Sequence, residues 1–283
     1  MKIGIAMFPA DFAVRPDELA RMIEARGFES LWLPEHPHLP ATPSTVELLE
    51  RAMGGVPAHM PRLHDLFVAL SFAASATTTL KLGTGICLVA ERDPILTAKT
   101  VATLDVLSGG RVLLGVGAGW IPEETANHGV EPRQRWAVMG ERVRAMQEIW
   151  THERAEFHGE HVDFDAIWSW PKPAQQPGVP VLVGGEGRGV LGRVLEYGDE
   201  WMPHNNQPLD VLAARITELQ DAARTANREP VPVTLYGAPA DLEQLRDLAG
   251  MGVHRAIIYA PPAGADEVRG FLDDVAPLTE AVA

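Results

Sequence analysis

The stretch Lys81–Trp120, KLGTGICLVAERDPILTAKTVATLDVLSGGRVLLGVGAGW, decides the fold. Its first run, Leu80 to Ile86, is of β type and carries Gly83 and Gly85 near its end. A loop with Arg92, Asp93 and Pro94 follows, and then a helix-period segment with apolar positions at Ile95, Leu96, Val101, Leu104 and Leu107. Ser108-Gly109-Gly110 stops that helix, because glycine takes the left-handed cap conformation without strain. Arg111 to Val116 is a second apolar run, ending in Gly115-Val116-Gly117-Ala118-Gly119-Trp120. The unit is strand, helix, strand, with glycines clustered where both strands end. In parallel α/β proteins those carboxyl ends are where ligands sit.

Outward from this unit the same alternation repeats. Apolar runs centred near Ile3, Ser30, Gly83, Leu113, Val181, Glu200, Val233 and Ala256 read as strands, with helical patterns between them. Pro16 opens the first helix with Asp17 and Glu18 in its first turn, where acidic groups are favourable. Alternation of this kind predicts parallel strands joined by helical crossovers, and eight units point to a (β/α)₈ barrel, an α/β fold, in one domain over residues 1–283. A doubly wound sheet is the competing topology. Three segments, 37–61, 121–132 and 152–178, are rich in Pro, Gly or polar residues and read as insertions at the carboxyl face. They are expected to form the walls that choose a substrate, with Trp168 and Trp170 suggesting an apolar or aromatic one.

The totals exclude several classes of function. At 46% apolar residues, the chain supplies a large core. A formal charge of −14 argues against nucleic acid or an anionic membrane as partner, because phosphate surfaces call for a basic protein. The single cysteine, Cys87, excludes an internal disulfide framework and fits the cytoplasm. Met1 to Phe8 is too short an apolar run for a signal peptide, and no run approaches membrane-spanning length.

The candidate site residues lie at strand ends. His36, between Glu35 and Pro37, sits at the carboxyl end of the second strand, where barrel chemistry occurs, and a histidine there can give or take a proton near neutral pH. Gly184, Gly185, Glu186 and Gly187, ahead of a helix, offer backbone N–H groups to a phosphate, with Arg188 as the local cation that an acidic protein needs. Gly187 to Gly192 also matches a dinucleotide fingerprint. That reading needs an acidic residue at the end of the next strand, whereas Asp199 and Glu200 lie at its start. His36 and His38 lack a third ligand, so no metal is expected. Cys87 follows the glycine turn and is a candidate pocket residue, although without a paired base it reads as packing; Trp120 lies where it can line the cavity. A cofactor-free hydrolase is disfavoured, since no nucleophile sits beside a base.

At these residues the chain resembles the bacterial luciferase-like superfamily, specifically its F420-dependent oxidoreductase branch. The resemblance rests on Phe28-Glu29-Ser30-Leu31-Trp32 with Glu35-His36, on Leu82 to Ile86, on Ala98 to Asp105 with Leu107 to Arg111, on Leu114 to Trp120, and on Val183-Gly184-Gly185 with Gly198 to Trp201. It covers nearly the whole chain. It implies a barrel that binds a deazaflavin, or alternatively FMN, at its carboxyl face. It also implies a non-proline cis peptide at Gly85–Ile86, where a bulge pushes against the central ring, with Thr84, Gly85, Ile86, Gly117 and Ala118 around the cofactor. His36 matches the family's histidine, and Glu35 stands where aspartate is also common. In related sugar-phosphate dehydrogenases a glutamate acts as acid at the position of Trp120, so the departure argues against that substrate. Gly187 replaces a common serine or threonine, which leaves more of the phosphate contact to backbone groups and Arg188.

The resemblance therefore implies hydride transfer between coenzyme F420 and a small organic substrate, with His36 as proton donor or acceptor and Glu35 beside it. The deazaflavin does not activate oxygen as a flavin does. The alternative in the same fold is an FMN-dependent monooxygenase, and in another class a barrel that only binds the cofactor. A homodimer is expected, and a flavin or F420 reductase only as supplier of reduced cofactor.

Overall fold

Strand segments such as SLWL and VLVG carry no polar face, so both of their sides must be covered, one by the barrel interior and one by helices. The computed structural model, which describes residues 1–282, satisfies this with a (β/α)₈ barrel. The strands are Lys2–Ala6, Ser30–Leu33, Lys81–Thr84, Val112–Gly117, Val181–Gly184, Glu200–Met202, Thr234–Tyr236 and Arg255–Tyr259. Each pairs in parallel with its neighbour, and the last pairs with the first through Lys2 opposite Arg255. Parallel bridges between Trp201 and Val233 and between His204 and Tyr236 join the sixth strand to the seventh. The third strand breaks at the Gly85–Ile86 peptide, which is cis, and resumes as Cys87–Leu88 beside Val116 and Gly117.

Local chemistry sets the helix ends. Asp93 accepts the Leu96 N–H at 2.8 Å and starts helix Pro94–Ser108, and Gly109 ends it at φ 74°. Asp65 caps Leu66–Ala76 by accepting the Val68 N–H at 2.9 Å. The 37–61 segment contains the helix Pro43–Met53. In 121–132, where a polar loop is expected, a short helix Pro122–Asn127 forms, favoured by proline at its first position and by Glu123 and Glu124 in its first turn.

The 152–178 segment is placed differently from expectation. It holds an antiparallel hairpin, Ala155–His158 with Asp163–Ile167, and it connects a helix to the next strand. Such connections emerge at the amino end of a barrel, because helices run antiparallel to the strands they follow. Trp168 and Trp170 are 75% and 55% exposed there, and no residue of this segment lines the cavity at the carboxyl end.

Inside the barrel Ala6, Trp32, Leu113, Leu182, Met202, Tyr236 and Ile257 pack together, while a larger apolar layer lies between strands and helices. Gly115 allows a close approach in this interior. A Cβ on it would run into the backbone carbonyl of Thr84, whose own hydroxyl donates to the Gly115 carbonyl at 2.7 Å. At the amino end Arg255 is buried between Glu29 (2.9 Å) and Glu200 (3.1 Å), a stabilising position by its distance from the catalytic face.

Glu24 fastens the first helix to the chain entering the third strand. It accepts the N–H groups of Thr78, Thr79 and Leu80 at 2.8, 2.6 and 2.9 Å. Burial pushes its carboxyl up, but the donors of Thr79, Leu80 and Thr78 outweigh this and hold it at about 2. With a folded value below the ordinary 4.5, the stability it supplies is present above pH 4.5 and is lost as pH falls toward 2. Glu24→Ala is expected to cost ~1–3 kcal/mol at neutral pH. Urea unfolding should also find the variant less sensitive than the wild type to acidification across that window.

Candidate active site

A cavity of about 380 Å³ opens at the carboxyl end of the strands. Its floor comes from successive strand ends: Gly85 and Ile86 from the third, Gly117 and Ala118 from the fourth, Gly184 and Gly185 from the fifth. Phe8 and Tyr259, after the first and last strands, form one wall with their rings stacked at 5.9 Å. Trp120 and Trp136 form the other, and Met53 and Met60 from the 37–61 segment overhang it. The regions around residues 36, 85, 118 and 185 thus share one rim. Another cavity, of about 390 Å³, lies at the amino end beside Pro177, Pro180, Asp199 and Pro232. It is on the face where barrel chemistry does not occur.

His36 is the histidine lining this rim, with only 9% of its side chain exposed. Its Nδ1 meets both carboxylate oxygens of Glu124, at 2.8 and 3.0 Å, and Glu124 is wholly buried. A carboxylate cannot donate, so the shared proton rests on Nδ1 when Glu124 is ionised, and Nε2 is the nitrogen left for the cavity. Glu35 is buried and already engaged. Its Oε2 accepts the Leu88 N–H at 2.8 Å and its Oε1 accepts the Arg92 Nε–H at 2.7 Å, with a further contact from the same guanidinium. Glu35 therefore fixes the chain after the Gly85–Ile86 bulge rather than offering free oxygens to a ligand. Arg92 also lies 5.0 Å over the Phe67 ring.

Behind Glu124 lies a second buried carboxyl, Glu91, whose Oε1 accepts the Thr125 hydroxyl at 3.1 Å. Burial, and next the negative charge of Glu124, push Glu91 up to about 8. His59, its ring tilted at 4.3 Å from that of Phe8, is lowered by burial and next by its proximity to His36.

The remaining expected residues divide. Trp120 lines the cavity and is 41% exposed. Thr84 is buried below the floor with its hydroxyl on Gly115. Glu186 accepts the His204 N–H, and its own carbonyl receives Arg215, so it braces the rim. Gly187 and Arg188 are exposed beyond the cavity's edge. Cys87 is fully buried among the apolar residues outside the barrel, not in the cavity lining, and burial pushes its thiol well up. The resumed strand at Cys87–Leu88 turns its side chain away. Glu124, Arg92 and Tyr259 have no counterpart in the sequence reading. Only the first-turn acidic pair Glu123-Glu124 after Pro122 could have pointed to one of them.

A family model described as luciferase-like monooxygenase matches residues 15–263. The chain belongs to this luciferase-like family. Among its relatives, an uncharacterised protein of Mycobacterium tuberculosis is 34% identical over 280 residues, covering 98% of each chain. An F420-dependent glucose-6-phosphate dehydrogenase of Kineococcus radiotolerans is 31% identical over 208 residues, covering 72% of this chain and 54% of the relative. Among solved structures, an F420-dependent secondary alcohol dehydrogenase, in complex with an F420-acetone adduct, superposes with a TM-score of 0.77 at 18% identity, covering 100% of this chain and 99% of the other. Monooxygenase RslO1 of Streptomyces bottropensis gives 0.70 at 20% identity, covering 99% and 89%. These structures share the (β/α)₈ barrel fold that the strand count predicts.

Proposed function

We propose that this luciferase-like protein transfers hydride between coenzyme F420 and a small organic alcohol or carbonyl compound. The observation that carries the reading is His36, backed by Glu124, at the edge of a largely apolar, glycine-floored cavity. Such a floor suits a flat ring system. Gly85 lies against the Tyr236 ring of the barrel interior, where a Cβ would collide, so glycine lets this part of the floor pack down onto the barrel. The aromatic walls would enclose a tricycle. The anionic end of the cofactor would lie toward Gly185, Gly187 and Arg188, near the Arg135 and Arg193 guanidinium groups, which sit 5.6 and 4.1 Å over the Trp136 ring. This concentrates positive charge locally on a protein whose net charge is −14.

When bound, the deazaflavin supplies a carbon that accepts or gives hydride. The residues of the chain handle the rest. His36 Nε2 takes the hydroxyl proton as an alcohol is oxidised, or returns it as a carbonyl is reduced. Glu124 holds the ring in the orientation that permits this and stabilises the imidazolium formed, the role a carboxylate plays behind a catalytic histidine. The F420-dependent relative at 31% identity supports the choice of cofactor.

A reading with FMN and oxygen is favoured by the monooxygenase among the structural neighbours, since a flavin ring would suit the same floor. Fluorescence titration separates the two. Saturable binding of F420 with weak or no binding of FMN supports the deazaflavin reading, and tight binding of FMN without binding of F420 overturns it.

A further inference from the structure

We infer that Glu124 and Glu91 form a buried proton relay, joining His36 in the carboxyl-end cavity to a second cavity that opens to the surface beside His128. The second cavity, of about 310 Å³, is lined by Pro37, Glu91, Arg92, Asp93 and His128 among others. Its lining runs from Pro37, next in the chain to His36, to Glu91 and His128. The groups form a sequence. His36 Nδ1 is hydrogen-bonded to Glu124, and Thr125, next in the chain to Glu124, donates to Glu91 Oε1 at 3.1 Å. Glu91 Oε2 is buried without any hydrogen-bond partner and lies 3.9 Å from His128 Nε2. The His128 side chain is 30% exposed, and its ring packs 5.3 Å from that of His38.

Two buried carboxyl groups close enough for the charge of one to act on the other are an expensive way to support a helix, and amides would serve that purpose without the charge. Their arrangement makes sense if a proton moves through them. Glu91, pushed up to about 8 by burial and next by the charge of Glu124, keeps its proton at neutral pH, so the site stores one proton behind His36. The other charged and titratable groups facing the pair are Glu35 and Arg92 from the neighbouring strand ends, His36 and His59 on the cavity side, and His38 and His128 outside. Cys87 lies near Glu35 and Arg92, and its thiol stays neutral.

The purpose of the relay rests on the hydride-transfer reading. In alcohol oxidation the C–H bond breaks and its electron pair leaves with the hydrogen for the deazaflavin. The O–H bond breaks and its proton forms an N–H bond at His36 Nε2. The Nδ1 proton passes to Glu124, a proton passes from Glu124 to Glu91 as Glu91 gives its own to His128, and His128 releases one to water. Reduction of a carbonyl runs the same chain inward. A cavity covered by a ring and a substrate has no water of its own for this exchange, so a side exit is needed.

The test uses the cofactor-free protein. Infrared spectra on either side of pH 8 should show a protonated-carboxyl band that disappears on the alkaline side. Nitrogen NMR should show the His36 ring signals stepping across the same pH. Glu91→Gln should remove both the band's titration and the step. Glu124→Gln should move the loss of the band to lower pH, since a negative neighbour is gone, and should uncouple His36 from it. Absence of a protonated carboxyl in the wild type overturns the relay, and so does a His36 step that persists unchanged in both variants. The wild-type spectra decide even if a variant folds poorly. If they fail while F420 is bound and turned over, the relay alone falls; if they hold while F420 does not bind, the choice of cofactor falls and the coupled groups remain.

Discussion

His36→Ala is expected to lower F420-linked turnover by about 10²–10⁴-fold, the range in which a positioned proton donor or acceptor acts. The affinity for F420 should stay close to that of the wild type. The imidazole contributes one edge of a cavity whose floor and walls come from other strands, so its removal leaves the seat for a flat ring in place. A parallel loss of binding and turnover would assign His36 to holding the cofactor. Unchanged turnover would place the proton transfer elsewhere, with Tyr259 the next group to test at the rim. A barrel that only binds its ligand predicts no turnover in the wild type with any alcohol or carbonyl tried. The comparison of wild type with variant therefore also separates catalysis from storage.

The second large effect concerns the barrel itself. Gly115→Ala is expected to destabilise the protein by ~1–3 kcal/mol or more, because the new methyl group would meet the Thr84 backbone carbonyl and the Met202 side-chain end inside a filled barrel. Backbone in a closed ring of strands yields little. A melting temperature lowered by roughly 5–10 °C is the expected reading, on the scale of ~2–4 °C per kcal/mol for domains somewhat smaller than this one. Two residues on, Gly117→Ala provides the contrast. There the added methyl meets the far end of the Ile86 side chain, which can rotate away, and Ile86 lines the cavity. That variant should keep most of its stability and lose affinity for F420 as Ile86 moves into the seat of the ring. Equal loss of stability in both variants would contradict this account of how the rim is built.

Much of this arrangement is legible in the sequence, for definable reasons. The strands declare themselves because most are short, largely apolar runs with no polar face, which solvent-facing sheets avoid. The rim declares itself because Gly83–Gly85, Gly115–Gly119 and Gly184–Gly187 all fall at strand ends. His36 follows from its place after Leu33, at the end of the second strand. Contacts between distant segments are what the sequence hides. Glu124 meets His36 at a separation of 88 positions, and Arg92 reaches Glu35 at a separation of 57. Neither pair leaves a periodic trace. Cys87 is misleading because strand alternation cannot be counted through the bulge at Gly85–Ile86. The 152–178 segment is a different case, since its tryptophans suggest a cavity wall. Its position after a helix and before a strand already assigns it to the amino end, so topology outweighs composition there.

The proposed hydride transfer requires the carboxyl-end rim to be the seat of a deazaflavin with His36 beside it. A crystal structure of the protein soaked with oxidised F420 tests this most directly. It should reveal the ring lying over Gly85 and Ile86, with the His36 imidazole facing it and still paired to Glu124. Density for the ring at the amino-end cavity, or at the rim but with His36 turned away, would contradict the central claim.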